Sequence, residues 1–279
     1  MAITEYDDPA FFAKFSKLAR NTGRLTTTLE WPTISRSIGQ ITNQTVLDLG
    51  CGSGQFCSWA SENGAASVHG IDASAKMLEK ARESNSADNI TYEQGDLDLS
   101  LTQPNSTALK LRENAYDIVH SSQVFHHLEN LAATFAAIYK ALKPGGRFIF
   151  SVHHPISTAP RTSNWGVKND GTPFWELENY GSEGPRTVDF LGYPIHVYHR
   201  TMETYISLLL ENGFMLVDFK ECIPAPGVLG ERHPDYGKEG HRPLYLVLAA
   251  RKVHVSSFDN RGWLFSSPSP VIHASLQKK

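Results

Sequence analysis

Cysteine is scarce in this chain of 279 residues: Cys51, Cys57 and Cys222 are the whole complement. The number is odd and the spacing fits neither a zinc site nor a disulfide framework. A reducing, cytoplasmic setting is therefore the simple expectation. Long apolar runs are also missing, and no uninterrupted stretch is long enough to span a bilayer. Residues Met1 to Lys17 carry Glu5, Asp7 and Asp8 and lack the apolar segment that a signal peptide needs. Basic clusters are absent apart from the final Lys278-Lys279, and the formal net charge is −3. Nucleic-acid binding usually needs a basic stripe, so neither nucleic acid nor membrane is expected as a partner. No His-Glu-x-x-His or acid-rich cluster marks a metal site.

What is present is an alternation. With 41% hydrophobic and 20% charged residues, the chain can fill a full-sized core. Pro9 to Arg20 reads as a short helix capped by Asp7 or Asp8, with Phe11, Phe12, Phe15, Leu18 and Ala19 as its apolar stripe. Trp31-Pro32 opens a second helical segment reaching about Ile41. Strands are expected at Thr45–Leu49, Ser67–Ile71, Ile90–Gln94, Tyr116–Ser121 and Arg147–Val152. Helices are expected at Gln55–Asn63, Ala75–Glu83 and Leu131–Leu142, with a turn at Pro144-Gly145-Gly146. Such a rhythm implies a parallel sheet covered on both faces.

The rhythm breaks between His153 and Arg200, a stretch rich in Gly, Pro and aromatic residues. It leaves the carboxyl end of a strand, where open α/β sheets bind ligands, and is read as a lid. Regular structure returns with a helix at Met202–Asn212, stopped by Gly213, and two final strands at Phe214–Cys222 and Leu244–Arg251. Residues 1–252 are thus read as one domain, with 1–41 as an N-terminal helical cap and 153–200 as a lid. Residues 253–279, with Pro268 and Pro270 among serines, read as a poorly ordered tail.

The central motif is Val46-Leu47-Asp48-Leu49-Gly50-Cys51-Gly52-Ser53-Gly54-Gln55. A strand delivers the chain to a turn without side chains, so a ligand can approach the backbone and the N-terminal amides of the next helix. A dinucleotide fingerprint would need G-x-G-x-x-G, but Gln55 and Cys57 stand where its last glycine would be. The pattern D-x-G-x-G-x-G instead resembles motif I of class I S-adenosylmethionine (SAM)-dependent methyltransferases. Later segments agree with that resemblance: Gly70-Ile71-Asp72-Ala73-Ser74, Glu93-Gln94-Gly95-Asp96-Leu97, Tyr116-Asp117-Ile118-Val119 and Leu142-Lys143-Pro144-Gly145-Gly146.

The resemblance implies a Rossmann-like fold with a seven-stranded, mostly parallel sheet of order 3-2-1-4-5-7-6, its last strand antiparallel. It implies SAM as cofactor, leaving as S-adenosylhomocysteine. Gly50, Gly52 and Gly54 would approach the methionine part, with Asp48, Cys51 and Ser121 beside them. Asp72, with Ala73, would hold the ribose, since a carboxylate can accept from both hydroxyls of a cis-diol. Asp96 and Leu97 would meet the adenine.

The flanks resemble a branch of bacterial and fungal small-molecule methyltransferases, through Asp8 to Phe12, Glu30-Trp31-Pro32, Phe150 to Pro155, Tyr198 to Thr201 and Arg242-Pro243-Leu244. His153 stands where that branch has an acid, and Phe15 where it often has Tyr, so no role is carried over to either. The [N/D]-P-P-[Y/F] signature of adenine and glutamine methyltransferases is replaced by Ser121-Ser122-Gln123-Val124.

The implied function is methyl transfer to a nitrogen or oxygen of a small metabolite or natural product. A peptide or protein methyltransferase and a non-catalytic SAM-binding regulator are the alternatives. Proton removal from the nucleophile calls for a base near neutrality, and histidine is the obvious type. His126, His127, His153, His154, His196 and His199 are available. His127 is the first candidate, because phosphoethanolamine methyltransferases have a local sequence similar to Phe125-His126-His127-Leu128 in which the matching histidine assists catalysis. His154, held extended by Pro155, is the second.

Overall fold

The computed structural model of the chain describes residues 5–18, 25–100, 111–161, 165–230, 233 and 235–253. At its centre is a seven-stranded sheet. The strands are β1 (Thr45–Leu49), β2 (Ser67–Asp72), β3 (Ile90–Gln94), β4 (Tyr116–Ser122) and β5 (Leu142–His153), closed by two late strands. These are β10 (Phe214–Cys222) and β11 (Tyr245–Lys252), and the spatial order is β3-β2-β1-β4-β5-β11-β10. The first five pair in parallel, and β11 runs antiparallel to both β5 and β10. This is the Rossmann-like order and direction that the resemblance implied.

Strand periodicity assigns the two faces. On β1, β5 and β11, the residues Leu47, Leu49, Phe148, Phe150, Val152, Leu246 and Leu248 point to one side. There they meet helices α6 (Leu131–Ala141) and α8 (Met202–Glu211) through Phe135, Ile138, Tyr205 and Leu209. The alternate residues Val46, Ile149, Val247 and Ala249 face α2 (Trp31–Ile38) and α3 (Gln55–Glu62) through Trp31, Ile34, Ile38, Phe56 and Ala60. Helix α4 (Ala75–Ser84) adds Leu78 to that side.

The chain runs outward from β1 to β3 and then returns to β4 on the other side of β1. That reversal opens a crevice at the carboxyl ends of β1 and β4. No helix among the described residues is long and apolar enough to cross a membrane.

Several expectations are refined. Helix α1 (Pro9–Phe15) stops at Phe15 rather than Arg20, with Ser16 as its C-cap, and Asp8 caps its start by accepting from the N–H groups of Ala10 and Phe11. Residues 19–24, including Arg20, lie outside the described residues. Helix α2 ends at Ile38 because Gly39 turns at φ +61°. The Pro144-Gly145-Gly146 turn is a bulge at the start of β5: Leu142 pairs with Tyr116, and regular pairing resumes at Arg147. Of the expected tail, only Val253 is described.

The stretch expected to be irregular is built largely of hairpins. After the short helix α7 (Pro155–Thr158) come β6 (Trp165–Val167) with β7 (Pro173–Trp175), and β8 (Gly184–Phe190) with β9 (Tyr193–His199). The second hairpin turns on Leu191 and Gly192, both at positive φ, as a two-residue hairpin turn requires. Leucine in the first of those positions hides the signal that Asn-Gly would give. The hairpin aromatics Trp165 and Trp175 clamp the Arg242 guanidinium, which lies 4.2 Å from the Trp175 ring and donates to Asp235 at 2.6 Å. They fasten the β6–β7 hairpin to the segment before β11.

Candidate active site

The Gly-rich loop between β1 and α3 lies at the crevice. The N–H groups of Gly50 and Cys51 both donate to the carbonyl of Ile71, at 2.7 and 2.9 Å, which ties the loop to the tip of β2. Gly50 has φ +70°, and a Cβ there would stand 2.1 Å from Cγ2 of Val124. The residues just past β4 therefore press directly on the first glycine. Gly52, at φ +53°, is the opposite case: a Cβ there would meet nothing within 4 Å. One glycine permits close packing of the loop, and the other keeps the backbone open to a ligand. Gly54 caps α3 at φ +80°.

Asp72 ends β2. Its Oδ2 accepts from the N–H of Gly52 at 2.8 Å and its Oδ1 from the N–H of Ser74 at 2.9 Å. A carboxylate oxygen has two lone-pair sites, so each oxygen retains one for a further donor. Burial pushes this carboxyl up to about 6; the N–H groups of Ser74 and Gly52 oppose the rise, and the nearby Asp48 and Asp7 add to it. Asp7 comes from the N-terminal segment, where it accepts from Ser74 Oγ at 2.8 Å and from the N–H of Lys76 at 3.3 Å. It thus seats the start of the chain on the first turn of α4. Ala73 is half-buried, and its carbonyl accepts from Gln94 Nε2 at 3.0 Å.

The other predicted cofactor residues divide. Asp48 is buried beneath the loop, where Oδ1 accepts from His120 Nδ1 at 2.7 Å and Oδ2 from Cys57 Sγ at 3.5 Å. It braces β1 against β4 and α3. Cys51 is buried in the loop. Ser121 is buried too, and its hydroxyl donates to the carbonyl of Leu49 at 2.8 Å, joining the ends of β4 and β1. Asp96 accepts from the N–H of Asp98 at 3.0 Å, at the start of helix α5 (Leu97–Ser100), and the Leu97 side chain sits in the sheet core.

Beyond β4 and β5 the histidines cluster. His126 stacks on His153 with ring centroids 4.3 Å apart, and His127 lies 4.3 Å from His126. The ring of Tyr6 meets His127 edge-on at 6.4 Å. His127 Nδ1 lies 3.0 Å from the carbonyl of His196 on β9. A carbonyl only accepts, so Nδ1 carries the proton and Nε2 is the basic nitrogen. The turn that holds His127 is fixed from two sides. Arg200 donates to the carbonyls of Leu128 and Glu129, each at 2.7 Å. Asp98 accepts from the N–H groups of Glu129 and Asn130 at 2.8 and 3.0 Å.

His154 is placed differently. It is fully buried and caps α7, its Nδ1 accepting from the N–H of Ile156 at 3.2 Å. Its Nε2 lies 3.0 Å from Glu221 Oε1. Burial lowers its pKa more than Glu221 raises it. Both ring nitrogens are engaged, one with Glu221 and one with the first turn of α7. His199 is likewise occupied, between the Thr158 hydroxyl and the Tyr180 carbonyl.

The cover over this cluster comes from both ends of the fold. Phe11 of α1 packs with Ile195 and Val197 of β9, and its ring meets Tyr193 at 5.3 Å. Lys14 Nζ donates to the carbonyl of Leu191 at 3.1 Å. Sequence reasoning missed Tyr6, the contact of Asp7 with the start of α4 and the His120–Asp48 pair, whose partners are distant along the chain. Among the described residues, no group of His, Cys, Asp and Glu could hold a metal ion.

Comparison with known proteins agrees with this geometry. Residues 47–150 match the family described as "Methyltransferase domain". The chain is 36% identical to an S-adenosylmethionine dependent methyltransferase from Mesorhizobium loti of known structure. That match covers 80% of this chain and 98% of the other, with a TM-score of 0.72. An uncharacterized protein of Haemophilus influenzae is 33% identical over 254 residues, 90% of this chain and 98% of its own. The phosphoethanolamine N-methyltransferase of Plasmodium falciparum is 32% identical over 224 residues, 79% of this chain and 71% of its own.

Proposed function

Because the chain belongs to the S-adenosylmethionine-dependent methyltransferase family, we propose that its acceptor is a nitrogen or oxygen of a small molecule and that His127 receives the acceptor's proton. The seating of His127 carries this reading. It stands beyond the tip of β4 with Nδ1 bound to the His196 carbonyl, so Nε2 is the nitrogen able to take a proton.

The cofactor site fits SAM. Gly52 leaves the backbone open, and Asp72 retains lone pairs at the tip of β2 where ribose hydroxyls can donate. Bound SAM supplies a methyl group already activated on a sulfonium sulfur. The chain's own residues then have two tasks. The first is alignment, which contributes roughly 7–11 kcal/mol when reactants are held in a near-attack geometry. Arg200 and Asp98 serve it by fixing the turn that carries His127. The second is proton removal, worth about 10²–10⁴-fold in rate.

A small acceptor suits the cover. Helix α1 and the β8–β9 hairpin pack on each other, and Tyr6 and His196 both reach His127. Such a cover excludes water from a reacting centre, whereas a protein side chain would need an open groove. The Plasmodium relative, named for a small amine, supports the same choice. The three buried, unpaired cysteines suit a reducing, cytoplasmic setting.

The test is turnover. The full chain is incubated with SAM and a small-metabolite extract freed of protein and nucleic acid, and S-adenosylhomocysteine is followed. Formation above the no-extract control supports the reading. Turnover only when protein or peptide is added back overturns it.

A further inference from the structure

Gln123 follows β4 immediately, and it is strained. Its φ is +61°, in the left-handed region that a non-glycine residue occupies rarely and chiefly at functional sites. Two hydrogen bonds hold it there. Its N–H donates to the carbonyl of Ser151 at 2.8 Å, and its Nε2 donates to Ser151 Oγ at 3.1 Å. Ser151 Oγ in turn lies 3.0 Å from Ser122 Oγ. The amide nitrogen is therefore moored to β5. The other end of the amide is different: Oε1 is buried and has no hydrogen-bond partner among the described residues. A buried carbonyl left so bears its full desolvation penalty, and a side chain moored in that state points to a ligand donor.

The position says where that donor comes from. The next residue, Val124, packs on Gly50 of the cofactor loop, and the N–H of His127 donates to the carbonyl of Val124 at 2.8 Å. Gln123 and His127 thus belong to one turn at the tip of β4, beside the loop. We propose that Gln123 is a positioning residue for the acceptor, its Oε1 accepting one N–H of an amine nucleophile whose other proton goes to His127 Nε2. The proposal rests on the reading of this turn as the acceptor site.

The substrate class follows from counting hydrogens. A hydroxyl has one hydrogen and cannot serve both acceptors, whereas an amine nitrogen with two N–H groups can. In the transfer, the nitrogen lone pair forms the N–C bond and the S–C electron pair stays on sulfur. The proton displaced from nitrogen passes to His127. The neutral amide also matters. A carboxylate at this place would stabilise a protonated ammonium, which has no lone pair to attack with; an amide carbonyl accepts the N–H bond without adding charge.

The experiment uses the full chain with the same metabolite extract as probe, comparing wild type, Gln123→Leu and Gln123→Glu. SAM affinity is measured separately by calorimetry. S-adenosylhomocysteine formation is followed from pH 6 to pH 9, with His126, His127 and His153 as the titratable side chains around the turn. Gln123→Leu is expected to lose at least tenfold in rate while binding SAM within threefold of wild type. Gln123→Glu keeps an acceptor and should recover part of that loss, with its acidic limb moved upward by about one pH unit. A Leu variant within threefold of wild-type rate overturns the proposal, as does a Glu profile that overlies wild type. Loss of SAM affinity in the Leu variant overturns it as well, assigning Oε1 to the α-ammonium of SAM. Wild type without turnover in the extract defeats the acceptor-site reading itself, and the two failures are thereby distinct.

Discussion

The affinity for SAM should fall as the pH is lowered through 6, because of Asp72. Its carboxyl is pushed up to about 6 by burial, and both oxygens already accept from the loop and α4. Ribose hydroxyls donate to the ionised form, so SAM binding favours loss of the proton. If only the carboxylate binds, the apparent dissociation constant scales as one plus the ratio of protonated to ionised Asp72. That factor is about 2 at pH 6 and about 11 at pH 5, a penalty of about 1.4 kcal/mol.

The sign for folding is opposite. The carboxyl titrates higher in the folded chain than in the unfolded one, so this group lowers stability as the pH rises from about 4 to 6. The proper assay is calorimetry with SAM at pH 5, 6, 7 and 8 in buffers of different ionisation enthalpy. Binding at pH 6 should release about half a proton, from a group half-protonated at its own pKa. Asp72→Asn should abolish this pH dependence and weaken SAM by roughly 1.5–3 kcal/mol. Asp7→Asn removes a negative neighbour and should move the midpoint downward. An affinity flat between pH 5 and pH 7, or one that strengthens on acidification, would refute the reasoning.

Gly50→Ala combines a left-handed backbone with a Cβ driven into Val124; together these should cost on the order of 2–5 kcal/mol in stability or SAM affinity, partly recovered in Gly50→Ala/Val124→Ala. Thermal melts and calorimetry on both variants check it, and a single variant indistinguishable from wild type would mean the loop is not seated as described. His127→Ala should cut kcat about 10²-fold with SAM affinity unchanged. His154→Ala should lose about 1–2 kcal/mol of stability through its cap and keep most of its kcat. The reverse pattern would move the base to His154. Deleting residues 1–17 removes the Asp7 and Phe11 contacts and should abolish turnover while the sheet still melts cooperatively; full activity in that truncation rules out a covering role.

The strand–helix alternation, the Gly-rich turn and the acid at the tip of β2 were legible in the sequence because each is a local pattern. Alternating Val46, Leu47, Asp48 and Leu49 fixes which side of β1 each residue faces, and the three glycines mark a turn wherever the chain happens to go. Contacts between residues far apart in the chain were not legible. Asp48 reads as a ligand residue, yet only the pairing of β1 with β4 brings His120 against it. His127 and His154 are equivalent by residue type. Tertiary structure separates them, because β9 delivers the His196 carbonyl to one while Glu221 and the start of α7 occupy the other. The hairpins between β5 and α8 escaped for a related reason: Leu191 lacks the turn chemistry that would announce the second, and Phe11 and Arg242, which pack on them, are distant along the chain. Sequence determines what the backbone does over a few residues, since propensity and periodicity act at short range. Which buried polar groups find partners is a property of the assembled sheet, and the strained Gln123 amide, moored to Ser151 of β5, exists only there.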